Sequence, residues 1–228
     1  MRWYGIITLF PQMFEALQHG VIARAGALGV KLNVYQLRDF AAPPHYQVDD
    51  RPYGGGPGMV LKAEPLLAAI QHAKAQAPGP CKVIALSPSG KQVKQAALRS
   101  LSEEPGIIFV CGRYEGIDQR VLDTVVDEEW SIGDYILSGG ELPAMVMLDG
   151  ILRLLPGVLG NADSVVQESF EQGTLDYPHY TRPAVVAGLE VPALLQTGHH
   201  AKITAWREGK AWDKTRSERP DLLELGVE

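Results

Sequence analysis

The feature that most constrains the fold is a repeated alternation of short apolar runs with longer helical runs. Continuous apolar runs occupy residues 2–10, 81–87 and 106–112, and residues 31–37 alternate apolar and polar side chains as a strand does. Continuous apolar strands separated by helices are typical of a parallel sheet covered by helices on both faces. The sequence therefore predicts an α/β fold built on a parallel sheet.

Helical periodicity accounts for the segments between these strands. The predicted helical segments are residues 12–29, 63–77, 91–104, 117–129 and 141–155. After Pro156 the character changes, because residues 160–176 are polar, acidic and weakly periodic, which is typical of a mobile linker. A compact basic helix is predicted at residues 199–216. The expected organisation is a domain at 1–159, a linker at 160–175 and a helical domain at 176–228.

Composition excludes several classes of protein. A hydrophobic content of 46% is enough for a sizeable core, yet no run approaches the roughly 18 to 20 apolar residues that span a bilayer. The apolar N-terminal run is interpreted as a first strand and not as a signal peptide. Cys81 and Cys111 lie far apart, without metal-ligand or redox spacing, so free thiols in a cytoplasmic protein are expected.

Charge is unevenly distributed along the chain. The net charge of −6 argues weakly against a nucleic-acid partner. Residues 113–129 hold two arginines against six acids, whereas residues 199–219 hold six Lys or Arg against three acids. A basic tail on an acidic body allows electrostatic contact with a nucleic acid at one end only. A solvated helix face explains the same charges equally well.

Three glycine-bearing segments are candidates for a ligand site. They are LSPSGK at 86–91, CGRYEG at 111–116 and SIGDYILSGGEL at 131–142. Ligands of open parallel sheets bind in the crevice beyond the carboxyl ends of the strands, where such loops would converge. A pocket built from main-chain N–H and C=O groups suits a purine edge and ribose hydroxyls. Turn geometry alone is the alternative explanation for the glycines.

Other kinds of chemistry find little support. The stretch YGGGPGMVLK at 53–62 fits neither common phosphate-binding spacing, so we interpret it as a loop covering a site or as a structural turn. No serine lies in a GxSxG motif, and no cysteine has a recognisable base near it in the sequence. The six histidines are scattered, so no metal site is predicted: His19, His45, His72, His179, His199 and His200.

Four long segments together resemble the bacterial tRNA (guanine-N1)-methyltransferases of the SPOUT class, the TrmD family. The segments are LSPSGK, GRYEGIDQRV at 112–121, DEEWSIGDYILSGGELPAMVMLDGILRLLPGVLG at 127–160 and DYPHYTRP at 176–183. The opening ITLFPQMF and the loop YGGGPGM are similar to the same family. The resemblance covers nearly the whole chain in one order.

The resemblance implies a specific reaction. Members of this family transfer a methyl group from S-adenosylmethionine to N1 of the guanosine immediately 3′ of the anticodon, position 37 of tRNA. Their catalytic domain carries a deep C-terminal trefoil knot, a rare exception to the rule against knots. They are homodimers with shared active sites, and a helical C-terminal domain helps to hold the anticodon stem-loop. The family also admits Mg²⁺, although no cluster of metal ligands indicates it here.

The same resemblance assigns the methyl donor to the three glycine-bearing segments. The main chain of residues 132–137 would contact adenine and ribose, and Gly139, Gly140 and Pro143 would complete the wall of the site. Pro88 and Gly112 would approach the donor, with Tyr114 and Glu115 beside them. The residues so assigned are Pro88, Gly112, Tyr114, Glu115, Ile132, Gly133, Asp134, Tyr135, Ile136, Leu137, Gly139, Gly140 and Pro143.

Catalytic roles follow from the resemblance together with the chemistry. Guanine N1 carries a proton at neutral pH, so a base is required, and a cation near O6 would stabilise the developing charge. Arg153 matches the family arginine in that role. Many relatives have Asp where this chain has Glu168, which we assign as the base, with Asp163 and Glu171 as weaker candidates. Asp176 is assigned to orient the base or the guanine.

The C-terminal segment is expected to contact tRNA. His179, Tyr180 and Arg182 are assigned to tRNA or to a partner subunit, although ordinary packing explains them as well. Phosphate contacts are expected from the basic helix, through Lys202, Arg207, Lys210, Lys214 and Arg216. Two alternatives remain at this stage: a related SPOUT enzyme acting on another RNA or base atom, and a catalytically silent RNA-binding protein.

Overall fold

The computed structural model describes residues 2–20, 22–160, 168–171 and 173–224 of the 228-residue chain. The chain divides into two compact units, Met1–Gly160 and Asn161–Glu228. Each unit has its own secondary structure and is described by itself below.

The N-terminal unit is organised around a five-stranded parallel sheet. Its strands, in the spatial order β2-β1-β6-β5-β7, all run in one direction. The strands of this unit are β1 Trp3–Thr8, β2 Lys31–Gln36, β3 Asp49–Asp50, β4 Val60–Leu61, β5 Lys82–Gln92, β6 Gly106–Cys111 and β7 Glu128–Ser131. Strands β3 and β4 form a separate antiparallel pair. The predicted α/β fold with a parallel sheet is confirmed.

Helices cover both faces of this sheet. The helices are α1 Arg24–Ala27, α2 Ala63–Gln76, α3 Gln95–Glu103, α4 Gln119–Val125 and α5 Glu141–Arg153, with 3-10 turns at Pro11–Gln18 and Leu37–Phe40. Strand β1 is buried along its whole length. Because side chains alternate along a strand, Tyr4 and Ile6 join the core that includes α5, while Trp3 and Ile7 join the core that includes α2.

Two predicted helices are shorter than expected. Residues 12–29 form a 3-10 helix at Pro11–Gln18 and the short α1 instead of one continuous helix. Gly20, with a φ of +70°, lies between them in a conformation that no helix continues. The helix predicted at 91–104 starts at Gln95, because β5 runs on to Gln92 and pairs with β7 there.

The helix predicted at 117–129 is wrong in its second half. Helix α4 ends at Val125, and Glu128–Ser131 form β7 at the edge of the sheet. The acids DEE favoured a helix by composition, but an edge strand is partly exposed and tolerates charge. Glu128 accepts hydrogen bonds from Lys82 Nζ (3.0 Å) and from Trp130 Nε1 (2.7 Å), which hold its carboxylate at the sheet.

The C-terminal unit is helical with a small hairpin. Its elements are β8 Val185–Val186, β9 Leu189–Glu190, a 3-10 turn at Ala193–Gln196, α6 His200–Glu218 and α7 Asp221–Glu224. The buried Thr215 joins α6 to the preceding chain: its Oγ1 accepts from Leu175 N (2.8 Å) and donates to Ala211 O (2.7 Å). Among the described residues, no helix combines the length and apolar character needed to cross a bilayer.

Candidate functional site

Three chain segments converge at the carboxyl edge of the parallel sheet. The first bulges out of β5, where pairing with β7 shifts register between Leu86 and Lys91. The second follows β6, and the third follows β7 and leads into α5. Together they line a cavity of about 250 Å³. This is the crevice where open parallel sheets bind their ligands.

Nearly all residues assigned to the donor site line this one cavity. They are Pro88, Gly112, Tyr114, Glu115, Ile132, Gly133, Tyr135, Ile136, Leu137, Gly139, Gly140 and Pro143. Asp134 belongs to the same loop, but it is exposed and lies outside the lining. The structure thus brings three segments, far apart in sequence, to one place.

Gly140 marks a close approach between the backbones of two of these segments. Its N–H donates to Gly112 O (2.8 Å), just beyond the end of β6. A Cβ at Gly140 would lie 2.8 Å from Cys111 Cα and 2.9 Å from Gly112 N, closer than real side chains come. Both neighbours are backbone atoms, which cannot turn away. At this position glycine is required by the protein's own chain.

The loop after β7 is shaped by short-range hydrogen bonds. Ser131 Oγ donates to Gly133 O (3.0 Å) and accepts from Gly133 N (3.2 Å). Tyr135 N also donates to Gly133 O (3.0 Å), and the Tyr135 hydroxyl donates to Ile132 O (3.2 Å). These bonds give the loop a defined main-chain conformation along the cavity wall.

A buried ion pair fastens the end of this loop, and sequence reasoning missed it. Glu141 is 1% exposed, and its carboxylate accepts from Arg113 Nε (2.9 Å) and from Thr8 Oγ1 (2.8 Å). Arg113 also donates to Ser138 O (3.1 Å) and lies 4.4 Å from the Phe10 ring centroid. Only the sheet order, which places β1 beside β6, brings these residues together.

The buried cysteine beside this pair is chemically quiet. Burial, reinforced by the Glu141 carboxylate, raises the pKa of the Cys111 thiol well above its usual value. A thiol that stays protonated is a poor nucleophile. Both cysteines are free, with Cys111 buried and Cys81 partly exposed. The site therefore offers no cysteine chemistry.

The glycine-rich stretch at 53–58 lies against the second segment. Glu115 N donates to Met59 O (2.9 Å), and a Cβ on Gly58 would overlap the Glu115 side chain. Gly54, Gly55, Gly56 and Gly58 all have positive φ, a conformation that favours glycine. Tyr114 adopts a φ of +60° without being glycine. Positive φ at all four glycines, together with the close contact of Gly58 with Glu115, explains the glycine content of the loop.

The assigned carboxylates Glu168 and Asp176 lie in the C-terminal unit. Asp176 N donates to Ser169 Oγ (2.9 Å), so the chain turns back and brings Asp176 beside the segment that carries Glu168. The Asp176 carboxylate accepts from Tyr177 N (2.8 Å) and lies 2.8 Å from His179 Nε2. Glu171 N donates to Glu168 O (3.3 Å). Asp163 lies outside the described residues.

Arg153 belongs to the N-terminal unit. It is the last residue of α5 and is partly buried. The structure therefore describes the assigned cation and the assigned carboxylates in different units. In the part of the chain that the structure covers, no group of three or more His, Cys, Asp or Glu side chains could hold a metal ion.

A second cavity, of about 990 Å³, lies wholly within the C-terminal unit. Aromatic and basic side chains dominate it: Arg207 lies 4.8 Å from the Tyr177 ring centroid, and the Tyr177 and His179 rings are 4.6 Å apart. Tyr180 and Arg182 also line it. The residues assigned to phosphate contact all lie on α6: Lys202, Arg207, Lys210, Lys214 and Arg216.

Comparison with known proteins gives one consistent result. A family model described as tRNA (Guanine-1)-methyltransferase TrmD matches residues 1–225. A tRNA (guanine-N(1)-)-methyltransferase of Methylococcus capsulatus is 56% identical over 98% of this chain and 90% of its own length. Proteins of the same name from Proteus mirabilis and Coxiella burnetii are 53% and 55% identical, over 97% and 96% of this chain and 90% and 89% of theirs.

Proposed function

The chain belongs to the tRNA (guanine-N1)-methyltransferase family, and from that premise we propose which of its groups bind the methyl donor and activate the target. The resemblance that the motifs indicated is confirmed, and the protein is an enzyme that methylates tRNA at guanine N1. The observation that carries the rest of the proposal is the cavity at the carboxyl edge of the sheet, lined by the three glycine-bearing segments.

We propose that this cavity binds S-adenosylmethionine. Main-chain groups of residues 132–137 would pair with the edge of adenine, whose donors and acceptors lie in a plane. Pro88, Gly112 and Pro143 would enclose the adenosine, while Tyr114 and Glu115 would border the methionine end. When bound, the donor supplies an electrophilic methyl group on a positively charged sulfur. Every assigned residue except Asp134 lines the cavity, which supports this placement.

The proposed target is N1 of the guanosine immediately 3′ of the anticodon. Glu168 would take the N1 proton, and N1 would then bond to the methyl carbon as the electrons of the carbon–sulfur bond stay on sulfur. Arg153 would stabilise the negative charge that develops on O6. Asp176 would orient the guanine, because hydrogen bonds from Tyr177 and a contact with His179 already fix its carboxylate.

Glutamate at position 168 extends the base by one methylene relative to aspartate. A displacement of about 1 Å matters for an oriented proton transfer. In our proposal the segment that carries Glu168 adjusts when tRNA binds and so absorbs this difference. The hydrogen bonds from Asp176 N to Ser169 Oγ (2.9 Å) and from Phe170 N to Thr174 O (2.8 Å) join this segment to the chain that carries Asp176.

We further propose the trefoil knot and the homodimer of the family, with active sites shared between subunits. The close packing of Gly140 against the end of β6 supports the knot, because a knotted chain must pack tightly against an earlier segment. Exposed apolar side chains support the dimer: Leu142 and Val146 on α5 are 46% and 51% exposed, and Ile136 beside the cavity is 80% exposed.

The C-terminal unit is proposed to hold the anticodon stem-loop of tRNA. Lys202, Lys210 and Lys214 would contact phosphates, which set affinity more than specificity. The aromatic and basic cavity lined by His179, Tyr180 and Arg182 supports this role. A tRNA substrate is consistent with action in the cytoplasm. Among the described residues, no cluster of three or more His, Cys, Asp or Glu side chains could hold a metal ion, and the proposed reaction assigns no step to Mg²⁺.

One experiment tests this proposal against its alternatives. The protein is incubated with methyl-labelled S-adenosylmethionine and a tRNA that carries or lacks guanosine after the anticodon, and the modified nucleotide is mapped. We expect 1-methylguanosine at position 37 only. Label at another base or in another RNA would favour a different SPOUT specificity. Donor and tRNA binding without transfer would favour a silent RNA-binding protein.

A further inference from the structure

Glu129 carries an unexplained buried oxygen in the wall of the donor cavity. It lies in the middle of β7, directly before the loop that lines the site, and it is among the lining residues. Its Oε2 atom is buried, and among the described residues it has no hydrogen-bond partner. The motifs of the sequence did not indicate it, because residues 117–129 were predicted as one helix.

Polar groups buried nearby are satisfied, which makes Glu129 an exception. The adjacent Glu128 is bonded to Lys82 and Trp130, and Glu141 to Arg113 and Thr8. In the described part of the chain, the other buried side-chain atom without a partner is the Tyr4 hydroxyl, which lies in the core away from the cavity.

A carboxylate oxygen removed from water without a partner destabilises the folded protein. Such a cost persists in functional proteins where a ligand completes the missing bond. The oxygen can only accept, so the ligand group must donate. The donor group of the ligand must also lie beside the main chain that follows β7.

We propose that Glu129 accepts a hydrogen bond from the ribose hydroxyls of the methyl donor, an inference that rests on the proposed function of this cavity. The planar edge of adenine is suited to main-chain groups, whereas the ribose presents two neighbouring hydroxyl donors. An acidic side chain is a common partner for a ribose hydroxyl in nucleotide sites of parallel sheets. Glu129 is thus a binding residue for the donor, in addition to those assigned by motif.

The test compares Glu129→Gln with Glu128→Gln. Both changes remove one carboxylate from β7, but only Glu129 lines the cavity, so Glu128→Gln controls for an effect on the strand. Dissociation constants are measured by titration calorimetry for S-adenosylmethionine, for S-adenosylhomocysteine and for the 2′-deoxy and 3′-deoxy analogues of S-adenosylhomocysteine. We expect Glu129→Gln to weaken binding of the ribose compound about tenfold or more, and Glu128→Gln to leave it within about twofold.

The deoxy analogues distinguish a direct hydrogen bond between Glu129 and the ribose from an indirect effect of the substitution on binding. If Glu129 bonds a ribose hydroxyl, removing that hydroxyl weakens wild-type binding but hardly affects the variant, so the two losses are not additive. Equal losses for the ribose and deoxy compounds would overturn the inference. So would a loss confined to S-adenosylmethionine, since that would place Glu129 at the charged sulfur. A wild-type protein that binds none of these compounds would instead overturn the donor cavity itself.

Thermal unfolding gives an independent readout. Replacing the unpaired buried oxygen of Glu129 should leave the melting temperature of the ligand-free protein unchanged or raised. The stabilisation by saturating S-adenosylhomocysteine should become smaller. A lower melting temperature without ligand, together with an unchanged ligand-induced shift, is the result expected of a purely structural residue and contradicts the proposal.

Discussion

At the scale of single residues, the proposed base Glu168 offers the most direct test of the reaction mechanism. Glu168 is fixed within a turn that hydrogen bonds close on Asp176, while Glu171 lies one turn further along the chain. Both carboxylates are candidates by charge alone. The family resemblance distinguishes them, because it aligns Glu168, and not Glu171, with the residue that removes the N1 proton.

Replacing Glu168 by Gln should slow single-turnover methylation of tRNA by about 10²- to 10⁴-fold, because no carboxylate then accepts the proton. Affinity for S-adenosylhomocysteine should stay unchanged, and Glu168→Asp should retain most of the rate. Glu171→Gln is the control and should react normally. Near-normal rates for Glu168→Gln, or a large loss for Glu171→Gln instead, would refute the assignment.

Gly140 occupies a position where the neighbouring backbone leaves no room for a side chain. Gly140→Ala should destabilise the protein by about 1–3 kcal/mol, because the added Cβ meets backbone atoms that move only with β6. Affinity for the methyl donor should fall as well, since moving the end of β6 also moves Gly112, which lines the cavity. The control is Gly26→Ala in α1, where nothing lies within 4 Å of the added atom. Urea unfolding measures the free energy of unfolding of the two variants, and equal values would contradict the argument.

At the scale of elements, β7 is a strand that the sequence pattern did not predict. Buried strands such as β1 and β6 were predictable because apolar side chains line both of their faces. The four-residue β7 was not, because an edge strand gains its stability from pairing with β5 and from bonds such as Lys82–Glu128. Glu129 and the Arg113–Glu141 pair escaped prediction for the same reason, since the order of strands brings these residues to the site.

The charges around β7 predict a characteristic dependence of stability on pH. Burial raises the pKa of Glu128, but hydrogen bonds from Trp130 and Lys82 outweigh it, so this pKa lies below its ordinary 4.5. Its contribution is therefore present above pH 4.5 and is lost as pH falls through the lowered pKa. The hydrogen bond with Glu104 and the bond with Glu128 raise the pKa of Lys82 above 10.5. That contribution is present below pH 10.5 and is lost as pH rises through the raised pKa.

Replacing Lys82 by Met should consequently cost about 1 kcal/mol of unfolding free energy near pH 7, as for a partly exposed ion pair. The difference from wild type should shrink below pH 4.5 and again above pH 10.5. Denaturant unfolding across this range measures it. A difference that is the same at every pH would mean that Lys82 acts by packing alone.

At the scale of the whole molecule, the two units have different surfaces. The N-terminal unit carries the cavity at the carboxyl edge of the sheet, and the C-terminal unit carries the basic α6 with aromatic residues near it. We therefore expect donor binding and tRNA binding to respond to different mutations. Local charge along the sequence predicted the basic helix, whereas the aromatic cavity beside it depended on the folding of residues 177–207.

Charge reversal of Lys202 and Lys210 to Glu should weaken tRNA binding at least about tenfold and lower the salt dependence of log K by about one per lysine. Binding of S-adenosylhomocysteine should remain unchanged. Lys74→Glu, on the exposed side of α2, is the control in the other unit. Filter binding at several salt concentrations measures the first effect and calorimetry the second. Equal loss of both ligands would refute the division between units.

The proposed pairing of adenine with the main chain of residues 132–137 has a consequence for inhibition. An adenosine mimic that pairs with the backbone of residues 132–137 would contact atoms that every amino acid shares, so most side-chain replacements would leave its binding intact. Resistance would have to arise by reshaping the loop, for example at Gly140, where an added Cβ meets the chain itself. Such mutations would impair the enzyme along with the inhibitor, which makes this wall a durable target.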